Sequence, residues 1–140
     1  MDDQRWGYWA AMSQEDVLLA SNAVAAFNRR DVASLVEMTT DDFEWVTWTG
    51  TVEYTAYHGA DGLARYFRDS DVWELLNLEV REFRDLGDGV LVVGTFHARG
   101  GASGAEIHLP YYSAFFTRGG KLARVLSFRT EDEALEAVRT

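Results

Sequence analysis

Two of the three histidines in this chain, His97 and His108, stand in successive segments that alternate polar with apolar residues. A register opposing Arg99 to Glu106 and Phe96 to Leu109 also sets His97 against His108, matching charged and apolar pairs alike. A slip of one residue would set Phe96 against His108 and undo that sorting. Paired directly, the imidazoles would have Cβ atoms about 4.5–5.5 Å apart. Two rings that close cannot comfortably both be charged, which leaves a neutral base beside a possible donor, the requirement for general acid–base catalysis. Tyr112 falls diagonal to His97 and could donate to a developing oxyanion. Arg129, permanently charged and fork-shaped, suits a carboxylate or enolate oxygen. Ser127 completes the group by orienting a ligand. Trp45 is a candidate pocket wall, and His58, just before Gly59, a candidate for the rim.

The elements that must hold these side chains can be read from periodicity. Ser13 followed by Glu15 and Asp16 reads as an N-cap, and Val17, Ser21, Val24 and Phe27 recur at helical spacing. That helix should stop near 28–30, with Asp31 capping a shorter one through Val32, Leu35 and Val36. Residues 39–42 read as a turn, and Phe43–Trp48 as a strand. A short strand at 52–57 leads into a helix over 60–69. From Leu78 the period becomes two, giving strands near 78–86, 89–99, 105–118 and 121–129, separated by glycine-rich breaks. Residues 131–139 close as a helix. Helices first and a long meander afterwards predict an α+β domain. Residues 1–11, with Trp6, Tyr8 and Trp9, read as an N-terminal arm before a single domain over 12–140.

The Gly119-Gly120 turn sets Arg118 opposite Lys121. Carried along the strands, that register pairs Tyr112 with Ser127 and Ala114 with Val125. The meander then has two faces. One is apolar, with Val90, Val92, Phe96, Ile107, Leu109, Tyr111, Phe115, Leu122, Leu126 and Phe128. The other is graded, apolar at Leu91, Val93, Ala114 and Val125 but polar at His97, His108, Tyr112, Ser127 and Arg129. Periodicity leaves open which face meets the helices, and the apolar choice would put both histidines in solvent.

The segments AFNRRD (26–31), DDFEW (41–45), YHGADGL (57–63), ASGAE (102–106), RGGKLARV (118–125) and EDEALEA (131–137) occur in an order that resembles the SnoaL-like, polyketide-cyclase-like branch of the nuclear-transport-factor-two-like superfamily. The resemblance spans 12–139. It implies a cone in which helices pack into the concave face of a strongly bent, mostly antiparallel sheet, usually in a dimer. It also implies that Val125 and Ser127 point inward and that Trp45 matches the tryptophan of DDFEW. On that basis the graded face lines the cavity. The apolar face becomes convex and needs a second copy to cover it, since exposed apolar patches of that size are rare. The family that it resembles includes isomerases, cyclases, dehydratases, epoxide hydrolases and many domains with no known reaction, and no cofactor is expected here. A lyase, isomerase or cyclase acting on an apolar or aromatic carbonyl compound is therefore the expected activity. A non-catalytic ligand-binding or dimerisation domain is the alternative. The carboxylates that such relatives use have no evident counterpart, because most acids here fall in turns and caps; histidine would have to take the role.

Composition bounds the partners. Thirteen basic against twenty-three acidic residues leave a net charge of −10, which repels phosphate backbones and anionic lipid surfaces. Zero cysteines rule out disulfides and thiolate metal sites. No two histidines share short ligand spacing, so no metal is expected. Charge-free runs stop well short of the roughly 18 residues a membrane span needs. The opening Met-Asp-Asp lacks a basic region ahead of an apolar one. A cytoplasmic protein is the expectation. The identity of the ligand is not written in the sequence.

Overall fold

The structure, a computed structural model, describes residues 3–48 and 54–139. Its elements run α1 (Asp3–Asn28), α2 (Val32–Met38), β1 (Thr39–Trp48), β2 (Tyr54–His58), α3 (Gly59–Asp69), β3 (Trp73–Asp85), β4 (Val90–Gly100), β5 (Glu106–Arg118), β6 (Lys121–Phe128) and α4 (Glu131–Arg139). The six strands form one sheet in the order β2-β1-β6-β5-β4-β3. Every neighbouring pair is antiparallel except β1 with β6. This is the expected α+β cone, with α1, α2 and α3 on one face of the sheet. No described helix is long and apolar enough to cross a membrane.

α1 begins at Asp3, so Ser13 lies inside the helix and is not its cap. The side chains of the Trp6–Trp9 arm lie outside the described residues. α1 ends on Arg30, a non-glycine at φ 56°. The amides of Arg30 and Asp31 bond back to the carbonyls of Phe27 and Ala26 at 2.9 Å each. This is how a helix closes on a left-handed residue. Asp31 then caps α2 as expected, accepting from the Ser34 amide at 3.1 Å and the Ser34 hydroxyl at 2.7 Å. Those two bonds hold the Asp31 carboxyl below its usual value, the Ser34 hydroxyl contributing most.

Two strands begin earlier than the sequence suggests. β1 takes in Thr39–Asp42, whose polar residues read as a turn, and β3 starts at Trp73, where Glu74-Leu75-Leu76 breaks the alternation. The β4–β5 register is the one that pairs His97 with His108 and Arg99 with Glu106. The β5–β6 register starts as expected, with Arg118 opposite Lys121 and Thr117 opposite Leu122. It then shifts, so that Phe116 faces Arg124, Ser113 faces Ser127 and Tyr112 faces Phe128. Ala123 is the extra residue of this bulge, and side chains beyond it change sides. Val125 and Ser127 turn inward and Leu126 does not, while Phe128 at the strand's end both packs beneath α4 and reaches the cavity lining.

A second bulge, between Val80 and Glu82 of β3, lies beside Gly94 of β4. A Cβ on Gly94 would overlap the carbonyl oxygen of Glu79. Glycine is needed there because the two backbones approach so closely where the sheet bends.

The core shows which face is concave. Val90, Val92, Ala98, Phe115, Leu122 and Val125 are buried together with Ala23, Val24, Phe27, Leu35 and Leu63 of the helices, and Phe96, Ile107 and Tyr111 pack against them. The apolar face is therefore the inside of the cone, opposite to the expected assignment. The helices cover it, so the argument for a second copy over Phe96, Ile107, Leu109 and Phe115 falls away. The outer face has a smaller cluster of Leu91, Val93 and Ala134, flanked by Tyr112, Phe128 and Leu135 beneath α4.

Candidate functional site

Between helices and sheet lies a cavity of about 290 Å³. One wall comes from α1, α3, β1 and β2. Trp45 and Tyr66 lie 4.3 Å apart at 38°, and Tyr57 meets Tyr66 edge-on at 5.3 Å. Phe27 closes the corner against Trp45 at 6.0 Å. These rings converge because Leu63, Tyr66 and Phe67 form the inward stripe of α3, while Trp45 and Tyr57 are cross-strand partners. The opposite wall is the apolar sheet face, with Phe96, Ile107, Leu109, Tyr111 and Phe115.

Polar groups are few. Thr39 and Thr47 donate their hydroxyls to the nearby carbonyls of Val36 and Thr55. Burial pushes the Tyr111 phenol up, while the hydroxyls of Ser113 and Ser127 pull it partly back. Burial likewise raises Tyr66, with the Ser70 hydroxyl opposing. Both phenols therefore remain protonated donors through neutral pH. Asp69, at the end of α3, lines the cavity yet is exposed, and marks where the cavity meets solvent. Among the described residues it is the only charged one of the lining.

The expected site residues divide. Trp45 and Ser127 line the cavity, Ser127 because of the Ala123 bulge. His97 and His108 do face each other, but they alternate with the inward Phe96, Ile107 and Leu109 and so lie on the outer face. Their side chains are 25% and 54% exposed. Tyr112 packs under α4 instead. Arg129 and His58 are exposed and do not line the cavity, and His58 occupies the N-cap of α3 without a capping side-chain bond. Glu106, expected to serve Arg99, contacts His108 at 3.4 Å, and Arg99 reaches Glu74 at 3.6 Å. Acid–base catalysis by His97, His108 and Tyr112 inside the cone therefore has no geometric basis.

Sequence reasoning missed Tyr66, Asp69, Ser70 and Tyr111. Tyr66 and Tyr111 were legible as members of buried apolar stripes, and a phenol in such a stripe must find a polar partner. That was the available signal. Nothing in the pattern marked Asp69 beyond its place at a helix end. Among the described residues, no three His, Cys, Asp or Glu gather in a group able to hold a metal ion.

A family model described as a SnoaL-like domain matches residues 20–125. No curated protein sequence matches the chain. Among solved structures, TerC co-crystallised with polyporic acid is 23% identical with a TM-score of 0.71, over 90% of this chain and 99% of that one. An NTF2-like protein of unknown function from Burkholderia pseudomallei K96243 is 18% identical with a TM-score of 0.72, covering 90% and 98%. A candidate SnoaL-like polyketide cyclase from Shewanella denitrificans OS-217 is 17% identical with a TM-score of 0.68, also covering 90% and 98%. At these identities the likeness is one of fold.

Proposed function

The chain belongs to the SnoaL-like domain family, and from that premise we propose that its cavity binds one compact, ring-bearing, uncharged small molecule. The observation that carries this reading is the lining: aromatic rings on both walls, the protonated phenols of Tyr57, Tyr66 and Tyr111, one peripheral carboxylate and, among the described residues, no basic side chain. At about 290 Å³ the space lies at the lower end of ligand pockets, which favours one or two fused rings over a long chain. Tyr111 and Tyr66 donate to a ligand oxygen, and the rings of Trp45 and Tyr66 supply stacking surface. Asp69 and the net charge of −10 disfavour anions. The printed ligand of the TerC crystal, polyporic acid, is consistent with a small-molecule role for this fold.

A catalytic version of this reading rests on Asp69. As the one carboxylate among the described lining residues, it could take a proton from a bound carbonyl compound while a tyrosine holds the oxygen. The cyclase description of the Shewanella relative favours keeping that version.

Binding can be followed through Trp45 and Trp73, both in the lining. Titrating tryptophan fluorescence with hydroxylated mono- and bicyclic aromatic compounds should give saturable, one-to-one changes. Leu109→Trp, which fills the cavity, should weaken binding at least tenfold, and Ile107→Phe should act in the same direction. Absence of saturation across the panel, or affinity in both filled variants unchanged from the unmodified chain, would overturn the reading. For the catalytic version, Asp69→Asn should abolish turnover yet retain binding.

A further inference from the structure

The histidine pair excluded from the cavity has a geometry of its own on the outer face. His97 Nδ1 lies 2.7 Å from His108 Nδ1. On the far side of each ring a carboxylate waits. Glu79 Oε1 is 3.3 Å from His97 Nε2, and Glu106 Oε2 is 3.4 Å from His108 Nε2. A carboxylate can only accept, so these contacts place a hydrogen on each Nε2. A neutral imidazole has one N–H, so both Nδ1 atoms then present bare lone pairs to each other. Two lone pairs at that distance need something positive between them, either a proton or a metal ion.

The arrangement matches the way proteins hold metal-bound histidines, with one ring nitrogen on the ion and the other donating to a carboxylate. The nitrogen separation also selects among ions. With metal–nitrogen bonds of about 2.0–2.1 Å, two ligands at a right angle are about 2.8–3.0 Å apart, and at a tetrahedral angle about 3.3–3.4 Å. The observed 2.7 Å fits neighbouring corners of a tetragonal ion far better than a tetrahedral one. Tetragonal nitrogen–oxygen sites are those of Cu(II) and Ni(II), and Cu(II) heads the affinity order for such donors.

We propose that His97 and His108 chelate one Cu(II)-class divalent ion through their Nδ1 atoms, on the outer face of the β4–β5 hairpin. Water fills the remaining positions, which keeps the ion's coordination open. Glu79 and Glu106 are positioning residues that fix both tautomers and offset the ion's charge. The neighbouring cations are engaged elsewhere: Arg81 with the Thr95 hydroxyl at 3.5 Å, Arg99 with Glu74 at 3.6 Å. Sequence spacing hid this site because its ligands are paired across strands, eleven residues apart in the chain. It shares no residue with the cavity, so the two stand or fall separately.

The test is a Cu(II) titration of the full chain at neutral pH in a non-coordinating buffer, followed by calorimetry and electron paramagnetic resonance. One ion should bind per chain, with a spectrum showing two nitrogen ligands. His97→Ala and His108→Ala should each weaken binding at least tenfold while circular dichroism stays unchanged, since both side chains reach solvent. Glu79→Gln and Glu106→Gln should weaken it roughly tenfold, as is usual for carboxylates behind a ligating histidine. His58→Ala should bind like the unmodified chain, and Zn(II) should bind more weakly than Cu(II). Unchanged affinity in the His97→Ala/His108→Ala double variant, or no binding by the unmodified chain, would overturn the proposal. Zinc binding as tight as copper would overturn the tetragonal assignment.

Discussion

Asn28 and Leu78, fifty residues apart, are joined by both polar atoms of one carboxamide. Asn28 Nδ2 donates to the Leu78 carbonyl at 3.0 Å, and the Leu78 amide donates to Asn28 Oδ1 at 2.8 Å. β3 is an edge strand, so these backbone groups have no neighbouring strand to pair with. The last residue of α1 supplies what that strand would have supplied.

Asn28→Ala should therefore cost more than a surface change. It leaves a part-buried donor and acceptor without protein partners, at about 1–3 kcal/mol per orphaned group. We expect a loss of roughly 2–4 kcal/mol in urea unfolding, with Asn28→Asp between the two because only the donor is lost. A change below about 0.5 kcal/mol would show that water replaces the carboxamide at no cost.

Gly94→Ala should be among the most damaging single-methyl changes in the chain. Its Cβ would overlap the backbone of Glu79 at the bulge, and backbone cannot step aside as a side chain can. Loss of soluble protein, or destabilisation beyond about 3 kcal/mol, is expected in thermal unfolding. Gly101→Ala is the contrast, since its nearest neighbour would be Glu74 Cβ at an ordinary 3.8 Å. That variant should melt close to the unmodified chain.

Tyr111→Phe separates polar recognition from packing. The ring stays and the Ser113 hydroxyl already donates to the Leu126 carbonyl at 2.9 Å, so stability should change by about 1 kcal/mol or less. Affinity for a ligand that accepts a hydrogen bond should fall roughly five- to tenfold, while a hydrocarbon of the same shape should bind as before. Paired fluorescence titrations decide it, and an equal loss for both ligands would contradict a donor role.

Alkaline pH should unfold the protein partly through its cavity. Tyr66 and Tyr111 both have phenols raised above the ordinary 10.0 by burial. A group raised in the folded state binds its proton more tightly there. Its stabilising contribution is complete below the unfolded value and disappears as pH rises through the folded one. Stability should therefore decline from about pH 10 upward, and Tyr66→Phe/Tyr111→Phe should flatten that decline in urea unfolding measured between pH 8 and 11. An unchanged slope would mean that other groups set the alkaline limit.

The sequence revealed elements more readily than facing. The β4–β5 register was legible because charged pairs and apolar pairs each match in only one alignment, Arg99 with Glu106 and Phe96 with Leu109. α2 was legible from Asp31, and α3 from its apolar stripe. The β5–β6 facing was not, because Ala123 has no chemical mark of a bulge and its effect appears only in the partner of Arg124. The resemblance correctly turned Val125 and Ser127 inward. Coupling them to Tyr112 and His108 through an unbroken register was the error, and it moved the whole outer face inside. Asp69 and Ser70 were illegible for another reason. Residues that end a helix look alike whether they face solvent or a cavity.

The bulge at Ala123 also makes the inside of the cone depend on a count as well as on composition. On β6, each residue beyond it owes its side of the sheet to the one residue that the ladder leaves unpaired. Deleting Ala123 would leave a regular ladder, with Thr117 still opposite Leu122, Phe116 opposite Arg124 and Ser113 opposite Ser127, so Val125 and Ser127 would stay inward. Deleting Ala123 and Arg124 together would leave no spare residue, offering Leu126 to the interior and sending Val125 and Ser127 outward. Tyr111 would then lose a hydroxyl partner. A two-codon deletion could thus invert a wall that point substitutions can alter only one position at a time. This hairpin should accordingly give up one residue at the bulge, and not two.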